Sequence, residues 1–137
     1  MMRIRLSIAL VCLMLAGLTG LAACTLNEAT PTPMPTPDIP HVYFEFPDNN
    51  ARVIQNSEIT VDIVASDDSA GIARVEFLVD NIKINEGQPP IGTVPVFRVA
   101  MNWVAGNIGG HTLHAIAYRA DGTRSDEAII LVDVVAP

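Results

Sequence analysis

From residue 41 onward the hydrophobic pattern of the chain has a period of two. In the run EITVDIVA, Ile59, Val61 and Ile63 alternate with Thr60 and Asp62. Successive side chains of an extended strand point to opposite faces, so this pattern fits a strand with one buried face and does not fit a helix. The same test predicts strands at 41–46, 58–65, 72–79, 82–84, 95–103, 111–118 and 127–135. Turn-forming clusters separate them: PDNN at 47–50, SDDSAG at 66–71, DN at 80–81, NIGG at 107–110 and ADG at 120–122. Seven short strands without a helical stretch imply an all-β fold, an antiparallel β-sandwich. The alternating region, about 100 residues long, is large enough for one core that buries about two-thirds of the unfolded surface.

The first residues have a different character. Arg3 and Arg5 precede LSIALVCLMLAGLTGLAA, an uncharged apolar run that ends in Leu21, Ala22, Ala23 and Cys24. A charged start, an apolar middle and a small-residue end are the parts of an export signal. With Ser7, Gly17, Thr19 and Gly20 diluting it, the run is marginal for the ~20 strongly apolar residues of a membrane span. The tetrad Leu21-Ala22-Ala23-Cys24 resembles the lipobox of bacterial lipoproteins. That resemblance implies cleavage after residue 23 and attachment of diacylglycerol and fatty acyl chains such as palmitate to Cys24. The only other cysteine, Cys12, would leave with the signal, so the mature chain would contain no disulfide.

Thr25 to Pro40 reads TLNEATPTPMPTPDIP. Four prolines at alternate positions (31, 33, 35 and 37) deny the segment helix and ladder hydrogen bonds and favour extended polyproline II. At about 3.1 Å per residue such a spacer could hold a domain up to roughly 50 Å from a bilayer. The expected organisation is therefore a signal peptide at 1–23, a lipidated cysteine with a Pro/Thr-rich linker at 24–40, and a domain at 41–137.

Several segments of that domain, taken together, resemble the bacterial Ig-like domains of exported and cell-surface proteins. They are Ala65-Ser66-Asp67, Gly71, Val75-Glu76-Phe77 with Val79 and Asp80, then Pro95, Phe97 and Trp103. Gly110-His111-Thr112-Leu113 follows, leading into Ala115 and Ala117, and then Asp121, Gly122 and Ser125. The resemblance implies an immunoglobulin-like sandwich, and packing makes Phe77, Trp103 and Leu113, with Val61, Val75 and Ile130, the candidates for its inter-sheet core. Two positions depart from the pattern. Arg119 replaces an acidic residue, which weakens any carboxylate-based cation site at that end, and Asn49-Asn50 replaces an Asp-Gly turn that asparagine can also form.

Candidate chemistry is sparse. His41, His111 and His114 have no metal-ligand spacing, and His111 and His114, three apart on one strand, face opposite sides of the sheet. No serine lies in a nucleophile-elbow context and no glycine-rich phosphate loop occurs. Calcium could in principle use Asp67, Asp68 and Asp80, or Asp48, but turn carboxylates more often bond their own backbone. The expectation is a protein with no cofactor, no metal and no catalytic site. Eight Lys plus Arg against fifteen Asp plus Glu give a net charge of −7, the wrong sign for a nucleic-acid partner.

One surface stands out. With Leu113, Ala115 and Ala117 inward, His114, Ile116 and Tyr118 face out; with Ile130, Val132 and Val134 inward, Ile129 and Leu131 face out. Neighbouring strands would join these residues, with Leu78, into one patch that a monomer ordinarily keeps polar. The patch is read as a surface for a protein partner or self-association, unless the stalk, a loop or a shifted register covers it. A glycan partner would use Trp103 and Tyr43 as stacking rings, and a plain structural subunit of an envelope complex would use neither. All of these readings place an anchored, non-catalytic domain at the cell membrane or envelope, facing outside the cytoplasm.

Overall fold

The computed structural model describes residues 36–137. The lipobox with Cys24 and most of the proline-rich stalk lie outside the described residues. Among the described residues eight strands run in chain order: β1 (His41–Phe46), β2 (Ala51–Ile54), β3 (Glu58–Ser66), β4 (Arg74–Val79), β5 (Ile82–Gly87), β6 (Val96–Val104), β7 (Gly109–Tyr118) and β8 (Ala128–Val135). They form a three-stranded sheet, ordered β1-β3-β6, and a five-stranded sheet, ordered β2-β8-β7-β4-β5. The sandwich expected from the alternation is the architecture found.

Two features depart from the seven-strand expectation. Strand β2 is additional and pairs parallel with β8, from Ala51 opposite Val132 to Ile54 opposite Val135. Its four residues are too few to establish a period, and its partner lies far along the chain. The expected strand at 72–79 starts at Arg74, with Ile72 held instead in an isolated bridge to Val94. At the Asn49-Asn50 turn, Asn50 adopts φ 65°, the left-handed geometry that asparagine tolerates and most residues avoid.

The inner faces interdigitate as the alternation requires. Phe77, Ile63, Ile72, Leu113, Val61, Val75, Val132 and Val134 are completely enclosed, and Trp103 and Met101 are buried beside them. Phe77 pairs across the ladder with Ala115, and Val75 with Ala117, so each large residue sits beside a small one. The Phe44 ring meets Phe77 edge-on from the other sheet, their centroids 6.5 Å apart. Burying a side chain the size of Phe77 contributes about 1.5–3 kcal/mol. Ile130 only borders this core.

The two ends of the sandwich differ. At the end where residues 36–40 lead into β1, Arg119 donates to Asp38 (2.9 Å) and to both carboxylate oxygens of Asp67. The opposite end carries the β2–β3, β4–β5 and β6–β7 turns, together with the end of β8, where Gln55 N donates to Val135 O.

Candidate functional site

The five residues singled out by alternation all belong to the outer face of the five-stranded sheet, but it does not expose them equally. Ile129 and Leu131 on β8 are 53% and 49% exposed. His114 and Ile116 on β7 are only 8% and 5% exposed, and Tyr118 is half-buried, which corrects the expectation that all five form an open patch. Strand β7 lies second from neither edge but in the middle of its sheet. His114 stands between Leu78 on β4 and Ile129 on β8, and Ile116 stands opposite Glu76, so side chains from the flanking strands close over both.

A charged network covers the β4–β5 half of this face. The Arg74 guanidinium lies 3.6 Å above the centre of the Tyr118 ring, a cation–π contact, and also pairs with Glu76. Glu76 accepts hydrogen bonds from Tyr118 Oη at 3.0 Å and Lys83 Nζ at 3.0 Å, and Lys83 also reaches Glu86 at 2.6 Å. Burial pushes the Glu76 carboxyl up, but its hydrogen bonds from Lys83, Arg74 and Tyr118 outweigh that and hold it below the ordinary glutamate value. Burial, and then the bond to Glu76, raises the Tyr118 phenol. On the other side of Ile116, His114 Nδ1 lies 3.2 Å from Glu127 Oε2.

The β8 half is open, with Ile129 and Leu131 exposed beside an ion pair between Arg52 and Asp133 (3.6 Å). Beside Leu131 is a trough of about 370 Å³ lined by Asn50, Arg52, Gly110, Leu131, Val132 and Asp133. A side chain at Gly110 would meet nothing within 4 Å, so the glycine itself creates the depression. The backbone of Leu131 is fixed at both ends: its N–H donates to Asn49 Oδ1 at 2.9 Å and its carbonyl accepts from Asn50 N at 2.7 Å. The turn that departs from Asp-Gly therefore positions one of the two exposed apolar residues.

Trp103 does not serve as an exposed ring. It forms the floor of a cleft of about 230 Å³ at the end of the sandwich away from Asp38, with Asp80, Ile82, Ile84, Val104 and His111 around it. His111 meets the indole edge-on at 5.7 Å and bonds Asp80 Oδ2 at 2.6 Å. This group escaped sequence reasoning because its members come from separate strands and turns. Tyr43 is exposed on the outer face of the three-stranded sheet, and Phe46 is exposed with it. A bulge between Phe44 and Phe46 puts Phe46 opposite Asp62, two rungs of β3 from the Val64 that faces Tyr43, so both rings share that face.

Among the described residues, no three His, Cys, Asp or Glu groups converge where they could hold a metal ion. Two of the aspartates considered for calcium are already engaged. Asp67 accepts from Arg119, Ser69 N and Ala70 N, and Asp80 accepts from His111 and from Thr112 N and Oγ1.

Residues 40–115 match the model of a family described as bacterial Ig domain. Among curated proteins, none matches the sequence. Among solved structures, the chain is similar to the fibronectin(III)-like modules of Clostridium thermocellum CbhA, with 25% identity and a TM-score of 0.61. That match covers 74% of this chain and 50% of the CbhA chain, so this chain spans about half the length of that relative. It is also similar to the CARDB domain of Pyrococcus furiosus PF1109 in complex with di-metal ions, at 13% identity over 75% and 100% of the two chains, with a TM-score of 0.54. The SrpA adhesin of Streptococcus sanguinis matches at 16% identity over 74% and 59%, with a TM-score of 0.51. These last two likenesses are of fold alone.

Proposed function

The chain belongs to the bacterial Ig domain family, and from that membership together with the N-terminal run ending in Leu21-Ala22-Ala23-Cys24 we propose that it is an exported, lipid-anchored envelope protein that displays one Ig-like domain for non-catalytic interaction with a protein. In this reading, residues 1–23 are a signal peptide, Cys24 carries the lipid, and residues up to 40 form the spacer below the domain at 41–137. The observation that carries the interaction role is the exposure of Ile129 and Leu131 side by side on β8, bordered by the Gly110 trough. A sheet face with Ile129 and Leu131 exposed between the charges over β4 and β5 and the Arg52–Asp133 pair has the composition of a small apolar interface centre with a charged rim. His114, Ile116 and Tyr118 support that surface from beneath and beside it.

The test uses the full chain. Leu131→Glu is expected to abolish saturable binding to a solubilised envelope protein while leaving the melting temperature unchanged, because the side chain projects from the sheet. Retention by cell-wall polysaccharide alone would overturn the protein-binding reading. Cys24→Ser is expected to release the chain from the membrane fraction and abolish labelling with radioactive palmitate.

A second reading, binding of a glycan, is favoured by one observation: the bulge in β1 places Tyr43 and Phe46 on the same outer face. Asp62, Thr60 and Asn102 lie on the same face and could bond sugar hydroxyls. Tyr43→Ala and Phe46→Ala distinguish the readings, because they would weaken retention on polysaccharide and leave a partner on β8 untouched.

A further inference from the structure

We infer that His111 is a proton-operated latch that holds part of the β6–β7 loop over the Trp103 cleft and releases it when the imidazole loses its charge. The ring has two partners. Nδ1 lies 2.6 Å from Asp80 Oδ2 and Nε2 lies 2.9 Å from the carbonyl oxygen of Asn107. A carboxylate and a backbone carbonyl can only accept, so satisfying both requires a hydrogen on each nitrogen, which is the imidazolium. Neutral histidine has one N–H to give. The charged acceptor holds it more strongly, so the Asn107 carbonyl loses its donor and then faces a ring lone pair.

What that bond restrains is short and well defined. On one side the loop is tied to the β2–β3 turn, where Gln55 Nε2 donates to Gly106 O at 2.9 Å and Asn56 N donates to Ala105 O at 2.7 Å. On the other side Gly109, with φ +127° and open space where a side chain would stand, begins β7. Asn107 and Ile108 span the gap, and Asn107 lines the cleft beside Trp103.

Few groups compete for control of the proton. Asp80, from the β4–β5 turn, is the charged residue that bonds the ring. Strand β6 contributes Trp103 and β8 contributes Val132 opposite His111, neither of which titrates. Lys83, on the adjacent β5, directs its ammonium to Glu76 and Glu86. Asp80 accepts further bonds from Thr112 N and Oγ1, which keep its carboxylate in place. Consistent with this arrangement, the bond from Asp80 raises the His111 value above the ordinary 6.5, with burial opposing and the Asn107 carbonyl assisting.

Trp103 is the sole tryptophan of the chain and touches the latch, so it reports the motion. Acrylamide quenching of its fluorescence, measured on the full chain from about pH 5 to about pH 9, should rise with one-proton steepness at a midpoint above 6.5. His111→Gln should abolish the transition, since glutamine does not titrate in this range. Asp80→Asn, an asparagine at a position with φ 49° that it readily adopts, should move the midpoint down by about one pH unit. A flat profile in the wild-type chain, or an unchanged transition in His111→Gln, would overturn the latch.

Discussion

The Arg119 guanidinium grips both carboxylate oxygens of Asp67, 52 residues away in sequence, with Nε on one and Nη2 on the other. The same Nη2 reaches Asp38, and the Ser69 hydroxyl donates to Asp38 as well. Residue 38, at the end of the proline-rich segment, is thereby joined to the domain. Bonds from Arg119 hold the Asp67 carboxyl below the ordinary aspartate value despite the opposing effect of burial.

This geometry ranks two substitutions. Arg119→Met leaves a carboxylate that is only 2% exposed without its cation, whereas Asp38→Asn alters a side chain that is 68% exposed. Breaking the enclosed pair from one side strands a charge, while the exposed pair is screened by water. Urea unfolding of the full chain should show a clearly lower midpoint for Arg119→Met and one close to wild type for Asp38→Asn.

A side chain at Gly71 should destabilise the fold. The Gly71 φ is +75°, and an added Cβ would lie 3.1 Å from Thr93 Cβ and 3.2 Å from the Val94 carbonyl, beside the bridge between Ile72 and Val94. Left-handed strain alone makes Gly71→Ala cost about 1–2 kcal/mol. Chemical denaturation measures the loss directly.

Stability should fall at both ends of the pH scale, for opposite reasons. Asp67, Glu76 and Asp80 titrate below their unfolded values of 3.8, 4.5 and 3.8. The stability they add is complete above those values and is lost as pH falls through the lower folded ones. His111 titrates above its unfolded 6.5, so its contribution is complete below 6.5 and is lost as pH rises through the folded value. In a series of urea midpoints against pH, His111→Gln should flatten the alkaline decline and keep the acid one.

The sequence made the sandwich legible because alternation such as Ile59, Val61 and Ile63 records which side of a strand is buried. It could not show β2, whose ARVI is too short for a period and whose neighbour β8 follows some eighty residues later. Period also gives a side without giving exposure. It placed Ile116 and Leu131 correctly on the outer face, yet one lies mid-sheet opposite Glu76 and the other beside the empty space over Gly110. Phe46 escaped notice because a bulge overrides the count. The His111, Asp80 and Asn107 group had no local signature, since the β4–β5 turn meets the start of β7 only in the folded chain.

Whether β8 presents the partner surface can be read from a photo-crosslinking side chain placed in the full chain in intact cells. Position 131 is compared with position 60, which is exposed on the outer face of the opposite sheet. If β8 is that surface, position 131 gives a discrete protein adduct and position 60 gives none. Adducts from position 60 alone, or none from 131 while the chain remains displayed and folded, would contradict it.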